Sequence, residues 1–423
     1  LIKFFQNLSE APFLGMKIFR IIARLNVGGP ARHVVWLSKE LQDEEFRSVL
    51  IAGTVPPGEE DMTWFARENG VEPIFIPEMS RELSARDAIS LYKVYRELKR
   101  VSPDIIHTHT AKAGTVGRAA GFLYRWFTWG TLIGRPRRVR LVHTFHGHVF
   151  HSYYGSFKTK LFLVIEKVLA RIATDRIIVI TDQQLEEIHN KFGVGRAGQF
   201  RVVPLGIDLD VFSDPEGKRN ILRSELGAGE EEIIVGFVGR LTEIKNIGLL
   251  LKVAQLYDRE KTAGAPNLKF AIIGDGHLRD ELEREAGALG VKGRVTFLGN
   301  RDDTQVFYAG LDIVALTSLN EGTPLSLIEA MAAGRPVIST AVGGVIDLLG
   351  DTLEKKDGFR VCERGILVGP DSPRSFCDAL LYLAKNEKLR EKLASAGQTF
   401  ARTRYNKKRL VNDIKNLYRD LVQ

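Results

Sequence analysis

Apolar residues along this chain fall into short, nearly continuous runs separated by longer stretches where they return every third or fourth position. Continuous short runs mark strands covered on both faces, and the longer spacing marks amphipathic helices. In the first half the strand-like runs are 17–25, 49–52, 73–76, 104–108, 140–144, 176–180 and 200–203. Helical patterns lie between them, as at 86–100 and 158–173. After Pro204-Leu205-Gly206-Ile207-Asp208 the alternation restarts, with runs at 233–238, 268–273, 294–298, 312–317, 336–339 and 365–368. Strand and helix in strict alternation predict two doubly wound α/β domains, joined near 205–215. The expected division is 16–206 and 207–400, with residues 1–15 as an N-terminal extension and 401–423 as a basic amphipathic helix. The two halves show no detectable sequence repeat.

A chain of 423 residues is long enough for two such domains. Its 44% hydrophobic content is ordinary for a globular protein. The most apolar stretch, 161–180, contains Glu166, Lys167, Arg171, Asp175 and Arg176 and does not read as a membrane span. No secretory leader pattern is visible in residues 1–15. Cys362 and Cys377, the two cysteines, lack metal-ligand spacing and fit a reduced, cytoplasmic setting.

The net charge is +8. Between 101 and 150, Lys112, Arg118, Arg125, Arg135, Arg137, Arg138 and Arg140 face a single acid, Asp104, and are mixed with Phe122, Leu123, Tyr124, Trp126, Phe127 and Trp129. Such a mixture fits an anionic membrane surface. A nucleic-acid patch and a solvated face over a normal core are the other readings.

The stretch with most chemical content is Asn320-Glu321-Gly322-Thr323-Pro324-Leu325-Ser326-Leu327-Ile328-Glu329, followed by Ala330-Met331-Ala332-Ala333-Gly334-Arg335-Pro336-Val337. Glu321 is expected in a loop and Glu329 inside the helix that follows, so one acid stands on each side of a helix N-terminus. Free N–H groups there accept an anion, and carboxylates accept hydrogen bonds from hydroxyls. A nucleotide sugar carries both groups. Arg240 and Lys245 lie in Gly239-Arg240-Leu241-Thr242-Glu243-Ile244-Lys245-Asn246, after the first strand of the second half, where two cations can neutralise a diphosphate leaving group.

Together these strings resemble the signature of the retaining GT-B glycosyltransferases, family 4 (group 1) type. The resemblance spans most of 16–400 and implies two Rossmann-like domains facing a central cleft, with the C-terminal helix crossing back to the first. It implies that an acceptor binds the first domain and a nucleoside-diphosphate sugar, by default a UDP-sugar, binds the second. The roles that it implies are diphosphate stabilisation by Arg240, Lys245 and the Gly322–Thr323 backbone, ribose hydroxyls on Glu329, and sugar hydroxyls on Glu321. Gly28 and Gly29 match its first glycine loop, Gly239 its second-domain loop, Gly274-Asp275-Gly276 its turn beside the nucleotide, and Leu298 to Asn300 the edge that reads the base. Pro324 and Leu325 complete the donor loop, although Thr323-Pro324 stands where many members have Phe-Gly. In His143-Thr144-Phe145-His146-Gly147-His148, His146 matches the histidine that points at the sugar. His107 and His109 read as cleft-lining or structural. The alternating histidines also invite a metal, but the family does not generally need one, and neither metal nor resident cofactor is expected. Asp208-Leu209-Asp210, formally a D-x-D, lies in the interdomain link and is discounted. The implied partners are a nucleotide sugar, a lipid-linked or saccharide acceptor of cell-surface polysaccharide assembly and an anionic membrane surface, with no nucleic acid. The implied location is peripheral, at the inner face of the cell membrane. A nucleotide-sugar 2-epimerase of the same architecture and a non-catalytic sugar-nucleotide-binding subunit are the competing readings.

Overall fold

The computed structural model describes residues 14–26, 28–56, 61–79, 86–146, 156–214, 216–262 and 264–423. The extension expected over residues 1–15 therefore lies almost wholly outside the described residues, as does His148. The chain divides into two compact units: residues 1–206 with 410–423, and residues 207–409.

Among the described residues the first unit holds seven parallel strands: β1 (Met16–Arg24), β2 (Phe46–Gly53), β3 (Ile74–Phe75), β4 (Ile105–His109), β5 (Arg140–Thr144), β6 (Arg176–Val179) and β7 (Phe200–Val202), in the order β3-β2-β1-β4-β5-β6-β7. The order reverses between β1 and β4, where ligands of open α/β sheets bind, beyond the strand carboxyl ends. Register pairs Ile22 with His109 and His109 with Thr144, so the ends of β1, β4 and β5 lie level. The two sheet faces are packed differently. Phe19, Ile21, Ile51 and Ile106 face helices Arg86–Val101 and Ala111–Trp126. Ile18, Phe46, Ile105 and Val142 face Leu410, Ile414, Leu417, Tyr418 and Leu421 of the C-terminal helix Lys407–Val422. That helix returns to the first unit at 410 rather than 401, because helix Glu387–Arg404 continues along the second unit and buries Leu393, Gly397 and Ala401.

The second unit holds β8 (Glu232–Val238), β9 (Asn267–Ile273), β10 (Val295–Gly299), β11 (Ile313–Leu316), β12 (Val337–Thr340), β13 (Thr352–Lys356), β14 (Phe359–Cys362) and β15 (Ile366–Val368). Their order is β10-β9-β8-β11-β12-β15-β14-β13, with its reversal between β8 and β11. The β13–β14 hairpin is antiparallel and was not expected. Every residue of β13, Thr-Leu-Glu-Lys-Lys, is exposed, so no apolar run announces it.

The basic stretch is less exposed than its sequence implies. Lys112 and Arg118 turn inward, to Asp87 at 2.5 Å and to the fully buried Glu166 at 2.6 Å. Tyr124 is buried, and Arg125 pairs with Asp175. What reaches the surface is the end of the stretch, with Phe127, Trp129, Leu132 and Ile133 exposed. No described helix is long and apolar enough to cross a membrane.

Candidate active site

In the second unit the loops leaving β8, β9, β10, β11 and β12 stack in strand order. Gly239 N donates to Ile273 O, Leu241 N to Asp275 O, and Gly274 N to Gly299 O. Gly274 has φ +130°, and a Cβ there would stand 2.1 Å from Gly239 O; one on Gly276 would stand 2.3 Å from Leu241 O. Only glycine lets these turns approach so closely. The Asp275 carboxylate is held by Gly276 N at 2.7 Å and by Arg279 at 3.0 Å, and the first of these does most to lower its pKa. Leu298 is half-buried in β10, and Asn300 is exposed just beyond it.

Across the β8/β11 reversal, Lys245 Nζ lies 2.5 Å from Glu321 Oε1. Lys245 ends the short turn Glu243–Lys245, closed by Asn246 at φ +46°, a conformation that asparagine tolerates better than most residues. The turn is tied to β11 and the segment after it, because Thr317 Oγ1 donates to Lys245 O at 2.9 Å and Leu319 N to Ile244 O at 2.8 Å. Ser318 Oγ donates to the same Glu321 oxygen at 2.6 Å. Behind it Gly344 N donates to Glu321 O, and a Cβ on Gly343 would meet that oxygen at 2.0 Å. Arg240 is exposed in the same loop. The two cations expected to converge are thus different in kind: Lys245 is held on Glu321, and Arg240 is turned to solvent.

Helix Leu325–Ala332 starts as expected, with Glu321 and Gly322 in the loop and Pro324 at its N-cap. The Thr323 hydroxyl is buried with no hydrogen-bond partner among the described residues. Glu329 Oε2 accepts from Tyr308 Oη at 3.1 Å. Tyr308 is fully buried, and its phenol is pushed further from ionising by burial and then by the Glu329 charge. Sequence reasoning missed Tyr308, which sits in helix Thr304–Gly310 inside an apolar run with no motif around it.

In the first unit Gly28 precedes and Gly29 begins helix Gly29–Glu40, whose second turn carries His33. His33, His109 and His146 bring ring nitrogens within 4.8 Å of one another. His109 Nδ1 and His146 Nε2 are 2.9 Å apart. Of histidines 143, 146 and 148, His143 does not join this group, because it turns to Thr108 Oγ1 at 2.8 Å, and His148 lies outside the described residues. Burial lowers the pKa of His107, His109, His143 and His146, in the last case to about 4, so all four are neutral at pH 7. Asp208 and Asp210 are held by Lys407 and Lys408, at 3.0 and 3.6 Å.

Two doubly wound sheets, each with its polar residues at the reversal of strand order, define a GT-B protein. Structures of the same fold include Anabaena HepE with UDP and glucose (TM-score 0.74, 21% identity, 96% of this chain and 100% of that one) and the lipopolysaccharide glycosyltransferase WaaG (TM-score 0.66, 18%, 95% and 99%). Residues 218–400 match the model of glycosyl transferases group 1, and 27–211 match that of Glycosyltransferase Family 4. An Escherichia coli UDP-Gal:alpha-D-GlcNAc-diphosphoundecaprenol alpha-1,3-galactosyltransferase is 29% identical over 357 residues, 84% of this chain and 85% of the relative. A Corynebacterium glutamicum D-inositol 3-phosphate glycosyltransferase is 30% identical over 359 residues, 82% and 78%. The chain belongs to the group 1 glycosyltransferases.

Proposed function

We propose that this protein transfers a sugar, with retention of anomeric configuration, from a UDP-sugar bound by the second unit to a lipid-linked saccharide bound by the first. The observation that carries the reading is the Lys245–Glu321 pair at the β8/β11 reversal, directly before helix Leu325–Ala332. A diphosphate there receives the Gly322 and Thr323 amides, the helix dipole and both Lys245 and Arg240, as negative charge grows on the departing group. Arrival of the diphosphate draws Lys245 from Glu321 and frees that carboxylate for sugar hydroxyls. Glu329, steadied by Tyr308, takes the ribose hydroxyls. His146 is the sugar-contacting residue proposed for the first unit. No side chain is assigned as a covalent nucleophile, and the leaving phosphate itself takes the acceptor proton on the same face.

Metal independence is part of the proposal: Lys245 and Arg240 are assigned to the charge that develops on the diphosphate, so turnover is expected to persist in excess EDTA. Loss of activity on chelation, restored by Mg²⁺ or Mn²⁺, would overturn that part. Peripheral association with an anionic bilayer through the exposed aromatic and basic segment 126–138 is the remaining part.

The test is a product assay across UDP-, GDP- and ADP-sugars with polyprenyl-diphosphate-linked saccharides, starting from the donor and acceptor named for the Escherichia coli relative. Acceptor-dependent UDP release with an α-linked product is expected from an α-linked donor. Conversion of a UDP-sugar to its epimer without acceptor would overturn the transfer reading.

A further inference from the structure

β1 alternates between two faces of its sheet, and on the face shared with Ile18 and Ile22 it places Arg20. This guanidinium is fully buried, and its Nε and Nη2 have no hydrogen-bond partner among the described residues. Its Nη1 lies 3.2 Å from His107 Nδ1 and 3.3 Å from His109 Nε2. Arginine has donors and no acceptor. The His109 nitrogen facing it must therefore present a lone pair.

The consequence passes along the strands. With Nε2 unprotonated, neutral His109 carries its proton on Nδ1. That N–H lies 2.9 Å from His146 Nε2 and donates to it. His146 Nε2 then accepts, and the His146 proton sits on Nδ1. This N–H is buried and has no hydrogen-bond partner among the described residues. His107 belongs to the same network: its Nδ1 lies 2.6 Å from Tyr418 Oη and its Nε2 2.7 Å from Thr144 Oγ1. The C-terminal helix, through Tyr418, thereby closes the network beneath the site.

The same proton count bears on the histidine trio as a metal site. A metal on His109 Nδ1 needs a lone pair there, while Arg20 already requires one on Nε2. A neutral imidazole has only one unprotonated nitrogen. A metal on Nε2 would instead meet the guanidinium 3.3 Å away. Either arrangement breaks the Arg20 contact.

We infer that Arg20, acting through His109, holds His146 as a neutral Nδ1–H donor toward an oxygen of the bound sugar or acceptor. Arg20 and His109 are positioning residues, and His146 serves as a hydrogen-bond donor rather than a general base. The inference rests on the proposed role of His146 as a ligand contact. The buried, unpaired donor supports it, because leaving such a group without an acceptor is costly and a ligand oxygen removes the cost.

The test reads the tautomers directly, in the full chain labelled with ¹⁵N-histidine, without substrate. His109 and His146 are expected to show protonated Nδ1 and bare Nε2 from pH 6 to 8. In kinetics, His109→Ala is expected to lower kcat by roughly tenfold, the worth of one typical hydrogen bond in a transition state. His109→Asn, whose amide N–H can donate from the position of Nδ1, is expected to recover most of that loss. A protonated Nε2 on His146 in the wild type overturns the inference. So does an Asn variant as impaired as the Ala variant when both melt as cooperatively as wild type, or stoichiometric Zn²⁺ binding that shifts all three rings. If the variants do not fold, the wild-type spectrum decides alone. Failure of every sugar donor in the product assay would overturn the proposed transfer and leave the tautomer assignment intact.

Discussion

Lys245 and Arg240 share a loop but do different work before substrate arrives. The lysine is held at 2.5 Å by Glu321, and the arginine is exposed. On the proposed reading a diphosphate competes with Glu321 for the lysine, and Lys245 contributes most where leaving-group charge is greatest. Lys245→Ala is expected to cut kcat by ~100- to 1000-fold, the range seen when one preorganised donor is removed from a developing anion. Arg240→Ala is expected to act in the same direction. The check is turnover at saturating donor, with melting temperature as the control for folding. Near-normal turnover in both variants would remove the diphosphate from this loop.

At the scale of elements, the site depends on turns that touch backbone to backbone. A Cβ at Gly274 would reach within 2.1 Å of Gly239 O, and φ there is +130°. Gly274→Ala should therefore part the loops after β8 and β9 and misplace Arg240 and Lys245. Its signature is a raised donor KM and lowered kcat with the second-unit fold retained, measured by kinetics and circular dichroism. Much of this architecture was legible in the sequence, because the glycines, the apolar runs and the two glutamates of the 320–337 stretch are local signals. The network behind His146 was not. Arg20 reads as a lone polar interruption of an apolar run, and its partners at 107, 109 and 418 are joined only by folding. The hairpin strand β13 escaped because all its residues are solvent-facing and charged or polar apart from Leu353.

Strands β4 and β5 and the loop after β5 also carry a pH liability. His107, His109, His143 and His146 have folded pKa values below the ordinary 6.5, with burial the first cause in each case. Arg20 and His33 add to the shift on His107 and His109, and Arg118 to that on His143. With depressed values the unfolded chain binds more protons than the native one below pH 6.5. Stability is then complete above that pH and falls as pH drops toward 4, each histidine contributing roughly 1.4 kcal/mol per pH unit while it remains neutral only in the fold. Denaturant melts between pH 7.5 and 4.5 are expected to steepen below 6.5. A flat profile would contradict the neutral cluster.

For the whole molecule, the proposed bilayer association turns on which surface would meet the lipid. Helix Ala111–Trp126 begins just beyond the carboxyl end of β4, beside His109, and runs back along the sheet. Sixteen residues at about 1.5 Å each put its far end roughly 24 Å from its start. The exposed patch of Phe127, Trp129, Leu132 and Ile133 therefore lies at the end of the first unit's sheet opposite His146. A bilayer gripping only that patch would be far from the reacting sugar. Helix Ser156–Ile172 bridges the gap, because it runs from the His146 end to the patch end with Leu161, Val164, Val168 and Ile172 exposed along one side. Exposed Lys160 and Arg171 flank that seam, as expected of a helix lying in the interface of an anionic bilayer. Each cation near such a surface adds roughly 1 kcal/mol of attraction, lost at high salt. The protein is expected to co-sediment with anionic vesicles at low salt and to be released by high salt or by neutral lipid. Trp129→Ala with Ile133→Ala, and separately Val164→Ser with Val168→Ser, should each weaken binding several-fold. Only the second pair should also raise the KM for a long-chain polyprenyl acceptor, while the KM for a short water-soluble acceptor stays unchanged. Equal loss on both acceptors would assign the seam to folding, and indifference of the wild type to anionic vesicles would point to a soluble acceptor.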